Sequence, residues 1–394
     1  MSEREHEYCV LDVESTIYAK GHPYSARNKL CLVGLRIAET NHIFKIEYDE
    51  EPYGERLTEL RRLIDSCRTI VGFNLKFDLG WLARYGINPK AINLFDCQLA
   101  EFILSHQLVP YPSLNHCLAK YGLGSKLDIV EREYWAHEID TPQIPLDILT
   151  EYLATDLEKT DALYQTLLRR CGDPLYGLHM QDLRVLLEME RNGLQFDWGA
   201  MEHATSIATQ RLAEINRTIQ NFVPESAREW FNTRSGDHLS KLLYGGYLSA
   251  RVAVRYQHIY KTGPKAGICE SRNRWESRVC ELERLVQPPE GSNLKKEGFF
   301  SVDEDTLKAI ETSKTSRVLV EALLSRAELE KLLSTYYHGL PKIYEKFDWQ
   351  DGLVHGQFNQ CRVITGRLSS SNPNKQNFPD VINQFLVSRF NKLY

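Results

Sequence analysis

The sequence lacks the features of membrane and secreted proteins. Its 394 residues contain no run of eighteen or more apolar residues, and no charged-then-apolar leader opens the chain. The nine cysteines, an odd number, are scattered from Cys9 to Cys361 without paired spacing, which favours free thiols over a disulfide framework. No Cys/His cluster has the spacing of a zinc site, and there is no internal repeat or low-complexity tail. The sequence therefore predicts an intracellular protein without a membrane partner.

Length and charge distribution indicate more than one domain. A chain of 394 residues with 42% hydrophobic content can bury more than one core, so two or three domains are expected. The net charge of −5 conceals an asymmetry, because residues 1–200 carry 21 basic and 31 acidic groups whereas residues 201–394 carry 27 and 22. A basic half can hold a nucleic acid by neutralising its phosphates.

Two carboxylates follow an apolar run near the start of the chain. Residues 8–11 predict a strand that continues through Asp12 and Glu14. Since successive side chains of a strand alternate sides, both carboxylates point the same way, and cations are needed to offset their repulsion. The pair therefore suits a hard divalent metal ion such as Mg²⁺ or Mn²⁺.

Two later segments place further polar side chains on element faces. A β-rich run ends before Asn74 and then turns helical, which puts Asp78 in the first turn of a helix at a strand exit, where ligand groups gather. In residues 146–168 apolar positions recur with helical spacing, so Tyr152 and Asp156, four apart, share one face. The alternative is that these residues have no common function. Asp12 and Glu14 would then lie at an exposed strand end, and Asp78 would be an acid that the helix dipole favours. Tyr152 and Asp156 would be an ordinary surface pair.

The order D-x-E, N-x-x-F-D and Y-x-x-x-D resembles the tyrosine subclass of DEDD 3′-5′ exonucleases. This resemblance implies an α/β ribonuclease H-like domain, a mixed sheet with helices and with carboxylates at one rim. It implies two divalent cofactor ions that assist phosphodiester cleavage. It also implies that Tyr152 positions the attacking water, since a free phenol titrates near pH 10. The implied catalytic residues are Asp12, Glu14, Asp78, Tyr152 and Asp156, with the four acids holding the metals, and the implied DNA contacts are Asn74 and Phe77.

A second string, T-G-R-L-S-S-S-N-P-N-K-Q-N-F-P at residues 365–379, is similar to a long motif of family A DNA polymerases. It is rich in Arg, Ser, Asn and Gln, which can present donors to phosphate and sugar oxygens. Residues 188–197, residues 231–232 with 239–243, and residues 333–337 resemble the thumb of that family. The resemblance implies that the primer–template backbone is contacted by Arg367, Asn374, Gln376 and Asn377.

Together these patterns predict three segments. Residues 1–172 form the exonuclease domain, residues 173–350 a mostly helical thumb, and residues 351–394 the first part of an α+β palm. Residues from about 245 to 300, with ten basic against six acidic groups in 251–300, are expected to be an irregular basic insert. Strands are predicted at 8–14, 30–37, 42–48 and 69–74, and helices at 54–66, 75–85, 96–105 and 147–169.

Two departures from the family pattern shape the functional prediction. The chain starts seven residues before the first strand, without a 5′ nuclease domain, as in a phage or organelle type. It stops before the D-x-S-x-x-E element that would hold polymerase metals. We therefore predict a split polymerase acting in DNA replication, in the cytoplasm of a bacterial or phage-infected cell or in an organelle. It would proofread as a 3′-5′ exonuclease and need a second polypeptide with the remaining palm and fingers. The alternatives are a catalytically quiet DNA-binding fragment or truncated polymerase, and a stand-alone RNA-trimming exonuclease.

Overall fold

A computed structural model describes most of the chain. The described residues are 5–89, 92–172 and 174–388, with the side chain of residue 174 left out. Residue 173, at the predicted domain boundary, and residues 389–394, at the end of the predicted palm segment, lie outside them. Internal contacts divide the chain into two units. The first unit comprises Met1–Trp198 and Leu340–Tyr394, and the second comprises Gly199–Gly339.

A five-stranded sheet forms the centre of the first unit, in the order β3-β2-β1-β4-β5. Strand β1 pairs antiparallel with β2 and parallel with β4, so the sheet is mixed, as the sequence predicts. Strand β5 was missed in the prediction because four residues, N-L-F-D, carry too short a pattern. The strands are β1 (His6–Ser15), β2 (Leu30–Ile37), β3 (Thr40–Lys45), β4 (Cys67–Gly72) and β5 (Asn93–Asp96).

Helices cover this sheet. The longest, α6, buries Leu149, Leu153 and Leu157 at helical spacing and packs on β1 and β2. Helix α7 packs on α2 and β5, so residues beyond the predicted boundary belong to the same compact unit. The helices of this part are α1 (Gly54–Asp65), α2 (Leu75–Arg84), α3 (Cys97–Leu104), α4 (Leu114–Tyr121), α5 (Ile129–Glu133), α6 (Leu146–Leu168) and α7 (Pro174–Asn192). Short 3-10 turns lie at Tyr18–Gly21, Trp135–His137 and Thr141–Gln143, and α7 is followed by strand β6 (Leu194–Gln195).

The second unit is mostly helical, with its own apolar core. Ile219, Leu243 and Leu319 are fully buried within that core. The helices are α8 (Trp198–Asn221), α9 (Glu225–Arg228), α10 (Gly236–Tyr244), α11 (Glu304–Ala309) and α12 (Lys314–Leu332), and a π-helical turn follows at Leu333–Tyr337. Among the helices of the described residues, none combines the length and the apolar character required to cross a membrane.

Most of the predicted irregular insert is a long β-hairpin, whereas residues 283–300 are irregular, as predicted. Strands β7 (Gly246–Ile259) and β8 (Cys269–Leu282) pair antiparallel over fourteen residues each. Their side chains alternate between half-buried and exposed positions in most of β7. For residues 246–282 the prediction was wrong, because it rested on the basic composition and not on the period-two alternation that indicates a strand.

The chain then returns to the first unit in short elements. The prediction of strand-like and loop-like structure after Gly352 agrees with two small antiparallel sheets, in which β9 pairs with β6 and β10 with β11. The elements are helix α13 (Gly339–Phe347), strands β9 (Leu353–Val354), β10 (Gln357–Asn359) and β11 (Ser369–Ser371), a 3-10 turn at Lys375–Asn377 and helix α14 (Asp380–Asn383).

One glycine sets the distance between helix α6 and the sheet. Gly34 on β2 lies opposite Asp12 in the β1 pairing. A Cβ atom at residue 34 would meet Leu157 Cδ1 at 2.7 Å and Leu153 Cγ at 3.0 Å, both on α6. Only a residue without a side chain therefore lets α6 approach β2 this closely.

We expect Gly34→Ala to lower the free energy of unfolding of the first unit by about 1–3 kcal/mol, because an added methyl group overpacks the interface. Urea unfolding followed by circular dichroism measures this. The control is Gly177→Ala on α7, where an added Cβ meets nothing within 4 Å and helix propensity should rise. A Gly34→Ala protein as stable as the parent would show that α6 can move away without cost.

Candidate active site

The side chains predicted to be catalytic line one cleft of about 690 Å³. Strand β1 supplies Asp12 and Glu14 from the same face, α2 supplies Asp78 from its first turn, and α6 supplies Tyr152 and Asp156 from adjacent turns. The structure therefore brings all five together, whereas their separate roles stay predictions.

The cleft holds its carboxyl groups largely away from water. Glu14, Asp78 and Asp156 are buried, and Asp12 is half-buried. Burial, and then the charge of Asp156, raise the pKa of Asp12 to about 8. Burial raises the pKa of Asp156 to about 6. The pKa values of Glu14 and Asp78 lie well above the usual range, because of burial first and of the charge of Asp12 second. The site therefore resists holding four negative charges without added cations.

Lys126 is the only cationic side chain among the described residues that line this cleft. Its ammonium donates to the Tyr152 hydroxyl at 2.9 Å and lies 3.7 Å from Asp156 Oδ2. It also pairs with Glu131, which lines the same cleft. The ammonium opposes the rise in the pKa of Asp156. Sequence reasoning missed Lys126 and Glu131, since no motif surrounds them.

The Tyr152 phenol is buried and held by polar partners on its hydroxyl. It accepts the Lys126 hydrogen bond and donates to Glu131 Oε1 at 3.2 Å. The Trp135 ring packs edge-on at 5.9 Å between centroids. Burial, and then the charge of Asp156, raise the pKa of Tyr152 far above that of a free phenol. The hydroxyl therefore stays protonated at neutral pH, where it can orient a water molecule but not remove a proton.

The chemistry of the cleft fits hard divalent cations. All its anionic donors are carboxylate oxygens, which such ions prefer. Asp78 Oδ2 and Asp156 Oδ1 are buried and have no hydrogen-bond partner. Across the described residues, no three His, Cys, Asp or Glu side chains are already placed as a metal cage.

Asn74 and Phe77, the predicted DNA contacts of this domain, also line the cleft. Asn74 has a left-handed backbone with φ of 61° and an exposed side chain, and it directly precedes α2. Phe77 is half-buried in the first turn of the same helix. Both side chains are thus available at the wall of the cleft beside Asp78.

Asp96 is a positioning residue that the prediction missed. Its buried carboxylate accepts hydrogen bonds from the backbone N–H groups at the start of α2 and of α3. The four donors are Asn74 (3.1 Å), Leu75 (2.9 Å), Gln98 (2.9 Å) and Leu99 (3.2 Å). Asp96 therefore caps two helices at once and orients the turn that presents Asp78. An aspartate directly before a helical pattern was the available signal.

The residues of the second motif lie on another part of the first unit. Arg367, Asn374, Gln376 and Asn377 are exposed and do not line the carboxylate cleft. Ser370 orders this segment, because its hydroxyl donates to Asn374 Oδ1 at 2.8 Å and accepts from the Gln376 N–H at 3.2 Å. The motif thus forms a hydrogen-bonded polar loop with its long side chains outward.

The fold and the cleft define the class of protein. Residues 2–171 match the family described as 3′-5′ exonuclease, and this match confirms the predicted α/β fold of the N-terminal part. Residues 277–390 match the family described as DNA polymerase family A. The chain thus combines a match to the 3′-5′ exonuclease family in its N-terminal part with a match to DNA polymerase family A in its C-terminal part, in the order that the two sequence motifs predict.

Several relatives are similar over most of this chain. It is 26% identical over 316 residues to DNA polymerase I of Synechocystis sp., covering 78% of this chain and 26% of the relative. It is 27% identical over 369 residues to the Chloroflexus aurantiacus enzyme (88% and 33%) and 25% identical over 366 residues to that of Aquifex aeolicus (85% and 52%). The chain thus spans between about a quarter and about half of these relatives.

A solved structure shares the fold. It is the POL domain of Pol1 from M. smegmatis in complex with DNA primer-template and dNTP, at a TM-score of 0.62 and 18% identity. The match covers 96% of this chain and 53% of that one. At this identity the likeness supports the fold alone.

The raised pKa of Asp12 predicts how the stability of the metal-free protein depends on pH. An unfolded Asp titrates near pH 3.9, so between about pH 4 and pH 8 the folded state binds more protons and stability falls as pH rises. Asp12→Asn removes the ionisable group, and with it the loss of stability at high pH. We expect its free energy of unfolding to exceed that of the parent by on the order of 1–3 kcal/mol at pH 8.5 and by clearly less at pH 5, where most of the loss has not yet occurred.

The measurement is urea unfolding in a chelator at both pH values. Asp147→Asn serves as the control, because Asp147 is an exposed acid on α6. A gain at pH 8.5 that is equally large at pH 5, or that Asp147→Asn reproduces, would contradict the assignment.

Proposed function

We propose that the N-terminal domain removes nucleotides from DNA 3′ ends as a 3′-5′ exonuclease with two divalent ions, Mg²⁺ or Mn²⁺. The observation that carries the proposal is the cleft itself, in which four carboxyl groups with raised pKa values face one protonated phenol. This arrangement destabilises the empty site and favours cation binding. Its function in the parent polymerase would be proofreading during DNA replication.

The carboxylates would hold the ions. When bound, two such ions stabilise the charge on the attacking and leaving oxygens of a phosphodiester and activate water. Asp12, Glu14, Asp78 and Asp156 supply the donors. Asp78 Oδ2 and Asp156 Oδ1, which are buried and make no hydrogen bond, are the atoms with most to gain from a cation.

Tyr152 would position the attacking water. Its hydroxyl lies between Lys126 and Glu131, which fix its direction. Because Lys126 donates to the phenol oxygen, the phenol proton is free to point toward an acceptor in the cleft when Glu131 moves away. A protonated Tyr152 hydroxyl would thus contribute to catalysis by orienting the attacking water.

The substrate would enter as a single strand. Phe77 offers an aromatic ring and Asn74 an exposed amide on the wall of the cleft. Stacking of an unpaired base on an aromatic side chain is sequence-tolerant, which suits a proofreading enzyme that removes any mispaired nucleotide. A duplex end would have to fray first.

The loop of residues 365–379 would contact the DNA backbone. Arg367 is exposed and has no salt bridge or hydrogen bond among the residues that the structure describes. Asn374, Gln376 and Asn377 extend from the same loop. Such donors bind phosphate and sugar oxygens without reading bases.

We expect Asp156→Ala to reduce 3′-end degradation of a single-stranded DNA at least about 10³-fold in Mg²⁺, because a metal donor is lost, and Tyr152→Phe to reduce it less, with Mn²⁺ affinity retained. Gel-resolved single-turnover cleavage and calorimetric Mn²⁺ titration are the measurements. Glu151→Gln, an exposed acid on the same helix, is the matched control and should cleave normally. Wild-type cleavage by Asp156→Ala protein would refute the site.

We expect DNA binding in a chelator to weaken steeply with salt and Arg367→Gln to weaken it further, with a shallower salt slope, because one phosphate contact is lost. Fluorescence anisotropy of a labelled primer–template measures both. Arg362→Gln, which changes an exposed arginine three residues before this loop, is the control. An unchanged slope for Arg367→Gln would exclude the contact.

Dependence of DNA synthesis on a second polypeptide stays a prediction. Primer extension is the test: the Asp12→Ala/Asp156→Ala protein, which cannot degrade primers, is assayed alone and with a fragment carrying the remaining palm and fingers. Extension by the chain alone would rule the prediction out.

A further inference from the structure

The β7–β8 hairpin has two faces with different electrostatic character. Alternate residues of each strand point to opposite sides, and the pairing register assigns them. One side, the paired face, carries Arg272, Arg274 and Arg278 together with Glu270 and Glu276. The other, the open face, carries Arg251, Arg255 and Trp275, with Tyr247 and Val279 nearer the base.

Each arginine of the paired face has a partner within the hairpin. Arg274 lies 2.6 Å and Arg278 3.3 Å from the Glu276 carboxylate. Arg272 lies over the Tyr260 ring at 4.8 Å, and that phenol donates to Glu270. The guanidinium groups of this face are therefore already engaged by side chains of the hairpin.

The open face is different. Arg251 and Arg255 are exposed, and neither has a hydrogen bond or salt bridge among the described residues. Trp275 is 63% exposed, which is unusual for an indole that could otherwise bury its ring. Tyr247 and Val279 are 67% and 64% exposed. Glu281 is the only acidic side chain on this face.

The register brings these side chains into one constellation. Trp275 pairs with Ala253, while Arg251 and Arg255 lie two residues to either side of Ala253 on the same face. The small Ala253 methyl leaves the space over the indole open. Diagonal neighbours on one face of a sheet are within reach of long side chains, so two guanidinium groups flank one exposed ring.

We propose that the open face of the hairpin binds single-stranded nucleic acid, with an unpaired base stacked on Trp275 and neighbouring phosphates on Arg251 and Arg255. Two guanidinium groups without acidic partners favour an anionic ligand. A flat exposed ring between them favours a ligand with a planar group that can stack on it. A nucleic-acid strand supplies both kinds of group, because each nucleotide carries a charged phosphate and a planar base. An apolar protein partner would leave both cations unpaired. The site goes beyond the proposed exonuclease and does not depend on it.

Binding is measured with the full-length chain in a chelator, which keeps the exonuclease site inactive. Fluorescence anisotropy reports affinity for labelled oligo-dT, oligo-U and duplex DNA, and the dT and U arms distinguish DNA from RNA. We expect about 5-fold to 100-fold weaker single-strand binding for Trp275→Ala and near-complete recovery for Trp275→Phe, which keeps a stacking ring. Arg251→Gln/Arg255→Gln should weaken binding about tenfold and reduce the salt slope.

The control is Arg274→Gln/Arg278→Gln, which removes the same charge from the paired face of the same hairpin. It should change the affinity less than twofold. A 5-iododeoxyuridine strand should photocrosslink to Trp275, mapped by mass spectrometry, and circular dichroism establishes that each variant folds.

Three results would overturn the proposal. Equal losses from both double variants would show that net charge alone acts. Wild-type affinity of Trp275→Ala, without a crosslink at residue 275, would exclude stacking. A change in sedimentation of Trp275→Ala with DNA affinity intact would show that the face docks a protein. Loss of DNA degradation by Asp156→Ala is an independent result, so failure of one proposal leaves the other standing.

Discussion

Mutual repulsion among four carboxyl groups in one poorly solvated cleft is the constraint on which the rest of the first unit depends. Asp12, Glu14, Asp78 and Asp156 all have raised pKa values because burial disfavours their charged forms, and the charges of Asp12 and Asp156 raise the pKa values of neighbouring carboxyl groups further. Folding must hold these groups together against their own electrostatics. The apolar sheet and the long helix α6, packed closely through Gly34, provide the rigid support for doing so. The single ammonium of Lys126 offsets only part of the repulsion among the carboxylates, so the cleft still favours the binding of further cations.

Much of this site was predictable because each element carries its own local signal. Period-two alternation predicted that Asp12 and Glu14 share one face of a strand. The four-residue spacing predicted that Tyr152 and Asp156 share one face of a helix. The structure has both pairs in these arrangements. What could not be predicted is set by tertiary packing. Lys126 reaches the cleft from a loop without periodicity, and Asp96 joins two helix starts that lie 22 residues apart in sequence. No local pattern states which distant backbone groups a carboxylate will cap.

The hairpin shows a different limit of sequence reasoning. Its composition is basic, and composition alone suggested an irregular, solvated insert. The alternation along β7 was present, but most of its half-buried positions do not join the apolar core, so no run of large hydrophobic residues marked it as a strand. Only the register of β7 against β8 separates arginines that are matched by glutamates from arginines that are not. The informative property is therefore the pairing of charges, which a residue count cannot reveal.

The two charge patterns complement each other chemically. A nucleic acid is a polyanion, so a cleft lined by carboxylates repels it unless cations are bound, and affinity for the strand must otherwise come from positive groups elsewhere on the chain. Arg367 on the polar loop and the unpaired arginines of the hairpin are such groups, and none of them lines the cleft. The residues proposed to bind the strand are therefore different from the carboxylates proposed to bind the cations. Under both proposals, a chain bound through its arginines would hold DNA without cutting it, and cleavage would require both that a 3′ end reaches the cleft and that cations neutralise the carboxylates.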